Sequence, residues 1–232
     1  MFINAGSVCG GTSFVRTTGI LEIHLDQMEF ASANPSVIRS IKQRILLNAW
    51  LRMPRNSGSL PAAADFQPED AADELADMAC FDVEEAEDGA RFLITQEGAR
   101  VALTYASNDP GRRSNRYLED AVGPDRYGRI AIYYRTLLAR KRPIYSITAV
   151  RDADEKEVSF ERLLLPFGGA DRVEQIVGSY KTISVEGRFK VENLLGPKPK
   201  ATPIPVVRAV IDMDFVRSPT EGLASDDLTE LN

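Results

Sequence analysis

Apolar positions along the chain fall into two helical stripes and a series of alternating runs. From Ser36, a residue suited to cap a helix, Ile38, Ile41, Ile45 and Trp50 recur at near-helical spacing, and Leu46, Leu47 and Met53 widen the stripe. This predicts a helix over Ser36 to Met53, closed by Pro54. Further on, Tyr127, Ile130, Ala131, Tyr134, Leu137 and Leu138 follow the i, i+3, i+4, i+7 rule. Arg140, Lys141 and Arg142 gather where a helix C-terminus favours cations, and Pro143 ends the pattern.

Between these stripes the period changes to two. Ala79, Phe81 and Val83 alternate with Cys80, Asp82 and Glu84, Asp88-Gly89 offers a hairpin turn, and Arg91 to Thr95 reads as the returning strand. Three more runs, Ile144 to Arg151, Val158 to Phe167 and Glu174 to Ile183, are separated by the polar turns Asp152 to Lys156 and Gly168 to Asp171, which favours an antiparallel meander. The stretch from Glu97 to Asp125 is broken by Gly98, Pro110-Gly111 and Gly123-Pro124, so its helices must be short. Arg55 to Pro61 is turn chemistry, and Pro68 opens a short acidic helix with Glu69, Asp70, Asp73 and Glu74 in its first turns. The expected fold class is α+β: a five-stranded antiparallel sheet with helices on one face.

The ends are less regular. Before residue 35 only Ile20 to Leu25 alternates, and Asn34-Pro35 marks a break. After Gly187 comes a proline-rich linker from Gly196 to Pro205, then Ala209, Ile211, Met213 and Phe215 in a strand pattern, then an acidic tail.

Composition narrows the chemistry. The 232 residues include 28 Lys plus Arg against 34 Asp plus Glu, a net charge of −6, with one His and two Cys. That balance argues against a nucleic-acid binder held by a basic surface. Cys9, Cys80 and His24 cannot build a zinc site, and any imidazole-based device would have to use His24. No export signal or membrane-length apolar stretch is visible, so a cytoplasmic protein with no membrane span and reduced thiols is expected.

Several phrases together resemble the bacterial family of short PAS-like proteins that carry a single PAS domain without an attached output domain. They are LLNAW at 46 to 50, Leu60-Pro61, Ala64-Asp65-Phe66-Gln67-Pro68, Arg91-Phe92-Leu93 leading to Gly98, Arg142-Pro143, and Phe160-Glu161-Arg162-Leu163-Leu164-Leu165-Pro166. The family's usual Gly-Thr stands here as Gly98-Ala99, and its Gly-x-Asp turn as Ser107 to Gly111. The resemblance runs from about Leu46 to Ile183 and does not reach the termini; the expected organisation is an extension at 1–35, a PAS-like domain with an N-terminal flanking helix over 36–186, and a linker, strand-like segment and tail at 187–232. The resemblance implies a sensory role in bacterial signalling through a small molecule or a signalling protein partner, as a homodimer.

A pocket between the sheet and the short helices would be lined by Phe92, Ile94, Tyr133, Tyr134, Ile147, Leu164 and Val177, residues that would equally fill a plain core. The helix face around Ile41, Ile45 and Trp50 would either meet a partner or cover its own sheet. Haem is not expected, because the sole His lies outside the domain, and the Asn-Cys-Arg-Phe phrase of flavin photoreceptors is absent. A metal is not expected, and the identity of any cofactor stays open. Cys80 reads as a buried inert thiol, Arg112 to Arg116 as a solvated basic loop, and Gly6 to Thr12 as a terminus rather than a phosphate loop, since it lacks a Lys. The eleven acidic residues from Asp65 to Asp88 read as a solvated face. No catalytic residues are assigned, so the expected function is regulation by binding. The alternatives are a metal-free enzyme using carboxylates or tyrosines in an α+β pocket, and a structural dimeric scaffold.

Overall fold

A computed structural model describes residues 29–55, 60–67, 74–87, 89–105, 113–169, 172–196 and 201–212. The expected features at Gly6 to Thr12 and Ile20 to Leu25, the acidic turn from Pro68 to Asp73, the Ser107 to Gly111 turn, Arg112, Met213, Phe215 and the acidic tail lie outside these residues.

Eight strands form one sheet: β1 (Ala31–Ala33), β2 (Met78–Ala86), β3 (Gly89–Glu97), β4 (Arg116–Tyr117), β5 (Ile144–Arg151), β6 (Glu157–Gly168), β7 (Val173–Ile183) and β8 (Ile204–Ile211). Their order is β1-β8-β5-β6-β7-β2-β3-β4, and β1 runs parallel to β8 while the other pairs are antiparallel. Among the described residues the α-helices are α1 (Ile41–Arg52), α2 (Ala99–Thr104), α3 (Leu118–Val122) and α4 (Pro124–Arg140).

This corrects the expected five-stranded antiparallel PAS-like sheet with helices on one face. The sheet has eight strands and is mixed. Strands β2, β3, β5, β6 and β7 occupy the five expected segments, but β8 adds to the edge of β5, β1 adds to β8, and β4 adds to β3. β1 and β4, at three and two residues, are too short to show an alternation. Helices cover both faces. Tyr133, Tyr134 and Leu137 of α4 pack with Phe81, Phe92, Ile94, Ile144, Phe160, Leu164 and Ile176. Leu46, Leu47 and Trp50 of α1 pack with Tyr145, Ile147, Leu163, Leu165, Phe167 and Val177, the alternate positions of the same strands.

Local chemistry moves one predicted boundary. Ser40 rather than Ser36 caps α1, its hydroxyl accepting from the Gln43 N–H at 3.4 Å. The preceding residues Pro35–Val37 form a separate 3-10 turn, capped by Asn34, whose side chain accepts from the Ser36 N–H at 2.8 Å. α4 begins at Pro124 after Gly123, whose φ of 79° is one that glycine tolerates best, and ends at Lys141 in the left-handed region.

Candidate functional site

Cross-strand register on the α4 face places side chains in rows. One row runs Arg208 on β8, Ser146 on β5, Arg162 on β6 and Tyr180 on β7. The next has Pro205, Thr148 and Phe160. Between these rows β8 carries a bulge: Val207 pairs with Ile147 but Pro205, not Val206, pairs with Thr148. The extra residue keeps both Arg208 and Pro205 on the α4 face and turns Val206 outward, where it is exposed. Pro205 has no N–H to contribute to a ladder, which suits it to this irregular strand.

Above the rows lies a cavity of about 480 Å³. Its floor is Thr148, Phe160, Arg162 and Arg208, and its wall is the α4 face carrying Arg126, Arg129, Ile130 and Tyr133, with Leu195, Gly196, Thr202, Pro203 and Pro205 closing the remaining side. Two backbone bonds fix the closing segment to the last two residues of α2: Asn193 N–H donates to the Leu103 carbonyl at 3.0 Å and Leu195 N–H to the Thr104 carbonyl at 2.9 Å. Arg126 ties it to α4 by donating to the Leu195 carbonyl at 2.7 Å.

Arg162 is the decisive group. It is 3% exposed, and its guanidinium lies 4.6 Å from the Tyr133 ring centre, 5.5 Å from Phe160 and 5.9 Å from Tyr180. Its Nε is buried with no acceptor among the described residues, and no carboxylate there pairs with it. Burial works against its charge, but the phenols of Tyr105, Tyr134, Tyr133 and Tyr180 outweigh this and raise its pKa. The other well-buried arginine behaves differently: Arg113 forms an ion pair with Glu97 and stacks 4.4 Å from Tyr105. Neighbouring Ser146 also has its hydroxyl buried without a partner among the described residues. Among the described residues, no Asp, Glu, His or Cys lines the cavity.

Beside this cavity, Tyr134 and Tyr180 share a hydroxyl contact of 3.1 Å. Burial pushes Tyr134 up to about 12 and Tyr180 well above its ordinary value, so both keep their protons at neutral pH. They line a small cleft of about 20 Å³ with Ile94, Glu97, Arg113 and Tyr105, and Tyr105 belongs to both spaces.

Of the seven expected pocket residues, Tyr133 lines the larger cavity, while Ile94 and Tyr134 line the small cleft. Phe92 and Leu164 are packed into the α4-side core, and Ile147 and Val177 lie on the opposite face beneath α1. Trp50 is fully buried there, its indole N–H donating to the Pro166 carbonyl at 2.8 Å, whereas Ile41 and Ile45 are 67% and 46% exposed. Arg113 is buried, not on a solvated loop. Glu74 and Asp77, expected on a solvated face, are buried around Lys181, at 2.9 and 2.5 Å. Cys80 is half-buried, and burial followed by Asp82 raises its thiol pKa.

The four cavity arginines escaped the sequence reading. For Arg162 and Arg208 the signal was a charge inside an apolar strand: Arg162 follows Phe160-Glu161 and precedes three leucines, and Arg208 sits between Val207 and Ala209. Glu161 illustrates the opposite outcome, because it faces α1 and accepts from the Tyr145 hydroxyl at 2.9 Å and the Ser40 N–H at 3.2 Å.

Comparison with protein families, curated proteins and solved structures finds no match to this chain. Among the described residues no helix is long and apolar enough to cross a membrane, and no cluster of three or more His, Cys, Asp or Glu could hold a metal ion.

Proposed function

We propose that the protein is a regulatory binding protein whose input is a small molecule held between α4 and the sheet. The observation that supports this is the cavity of about 480 Å³, within the range that accommodates a small organic ligand. Its walls are mainly aliphatic and aromatic, with a few convergent polar groups, the composition that binds and orients a ligand. Turnover is less well supported. Among the described residues the lining offers guanidinium groups and hydroxyls as donors, and no carboxylate, imidazole or thiol that would act as a base or nucleophile.

A bound molecule would touch α4, β5, β6, β8, Thr202, Pro203 and the Leu195-Gly196 segment at once. It would favour whichever arrangement of that segment completes the cavity, and so alter the surface offered at β8 and the end of α2. Native mass spectrometry of the purified chain, under gentle and then denaturing conditions, tests the reading. A bound mass in the first spectrum that is lost in the second is expected, and Thr148→Phe, which fills the floor, should remove it while leaving the circular dichroism spectrum unchanged. The reading fails if the native spectrum shows only the bare chain and no compound in a metabolite library raises the unfolding temperature.

A further inference from the structure

Arg162 carries an inference about the class of ligand, resting on the reading of the cavity as a ligand site. A guanidinium buried without an anion is expensive, because low-dielectric surroundings deprive it of hydration. At Arg113, the other well-buried arginine, this cost is offset by the carboxylate of Glu97. At Arg162 the described residues supply only ring faces. Aromatic faces stabilise a cation but leave its N–H donors unmatched. Arg162 lines the cavity, which also draws Arg126, Arg129 and Arg208 and, among the described residues, no acidic side chain to repel an anion.

We propose that the ligand is an organic acid, its carboxylate held by Arg162 and its apolar or aromatic body lodged against Ile130, Ile132, Leu195 and Pro203. The planar fork of one guanidinium matches the two oxygens of one carboxylate through parallel N–H donors. The apolar side chains around it suit a hydrocarbon body rather than a compact, fully hydrated ion such as inorganic phosphate. Thr148, one row along β5 and facing the same space, supplies a hydroxyl within the floor.

Isothermal titration of the full-length chain with matched acids and amides tests this, using octanoate against octanamide and hydrocinnamate against hydrocinnamamide, with octyl phosphate as a third arm. Each amide keeps the shape of its acid and removes the charge. The acids should bind about 10-fold to 100-fold more tightly than their amides, the range expected for hydrogen bonds to a charged partner. Arg162→Met should erase that preference, and Arg162→Lys, which keeps the charge but loses the fork, should retain part of it. If Arg162→Met does not fold, the wild-type comparison and Arg162→Lys still decide the matter. Equal binding of acid and amide, tighter binding of octyl phosphate than octanoate, or no acid binding at millimolar concentration would overturn the organic-acid assignment. A neutral or cationic co-purified molecule in the native mass spectrum would overturn it too, while leaving the cavity's role intact. An empty native spectrum together with an inert metabolite library would remove both.

Discussion

Gly98 illustrates how one residue can be constrained by its neighbours rather than by its own conformation. Its φ of −74° is open to any residue, but a Cβ built there would lie 2.2 Å from the Leu75 carbonyl oxygen and 2.4 Å from that of Ala76. Those atoms are backbone and cannot rotate away. The Ala76 carbonyl is also engaged, accepting from the Arg100 N–H at 2.9 Å. Gly98→Ala should therefore destabilise the fold by about 2 kcal/mol or more, measured as a lower urea midpoint, while Gly128→Ala, in open space, should not. The sequence marked Gly98 as a break, but nothing in it disclosed the close approach, which depends on residues more than twenty positions earlier. Arg162 is similar. Its charge was plainly visible within an apolar run, yet whether a partner awaited it depended on which strands flank β6.

Among the elements, the junction of β2, α2 and β7 is held by charge. Asp77 accepts from Arg100 at 2.5 and 2.9 Å and from Lys181 at 2.5 Å, and Glu74 meets Lys42 at 2.7 Å and Lys181 at 2.9 Å. Burial alone would raise both carboxyl pKa values, but hydrogen bonds from Arg100 and Lys181 to Asp77, and from Lys42 and Lys181 to Glu74, bring them below their ordinary values. The folded state thus binds protons less readily than the unfolded chain. The resulting stabilisation is complete above the unfolded carboxyl pKa and is lost as pH falls through the folded one, from about pH 5 downward. Urea midpoints collected across that range should show Asp77→Asn less stable than wild type at neutral pH and less sensitive to acid. A wild-type acid limb no steeper than the variant's would contradict this account. The acidic run was legible as composition. The burial of Glu74 and Asp77 within it was not, because Lys181 lies more than a hundred residues away and reaches them only through the pairing of β7 with β2. The longer helix was legible in its type and nearly in its limits, since a stripe at helical period can be satisfied by one element alone.

For the molecule as a whole, binding at the cavity should be linked to folding. A ligand that binds only the folded chain adds about 2.7 kcal/mol at a hundredfold excess over its Kd, so the unfolding temperature should rise steadily with ligand concentration. The same titration on Thr148→Phe should give a flat line, and a matching rise in that variant would place the ligand elsewhere. The sequence by itself determined the strand and helix order of the central segment, five of the eight strands and, through Ala209 and Ile211, part of β8, the scarcity of imidazole and thiol chemistry, and the turns that join the meander. These are local properties, written in period, turn residues and composition. Tertiary structure alone decided that β8 returns to β5, that β1 joins it in parallel, that α1 and α4 cover opposite faces, and that, among the described residues, four arginines and no carboxylate line one cavity. Alternation distinguishes the two faces of a strand but cannot say which helix covers either face. The partners of a buried charge come from distant strands, and their identity is set by register.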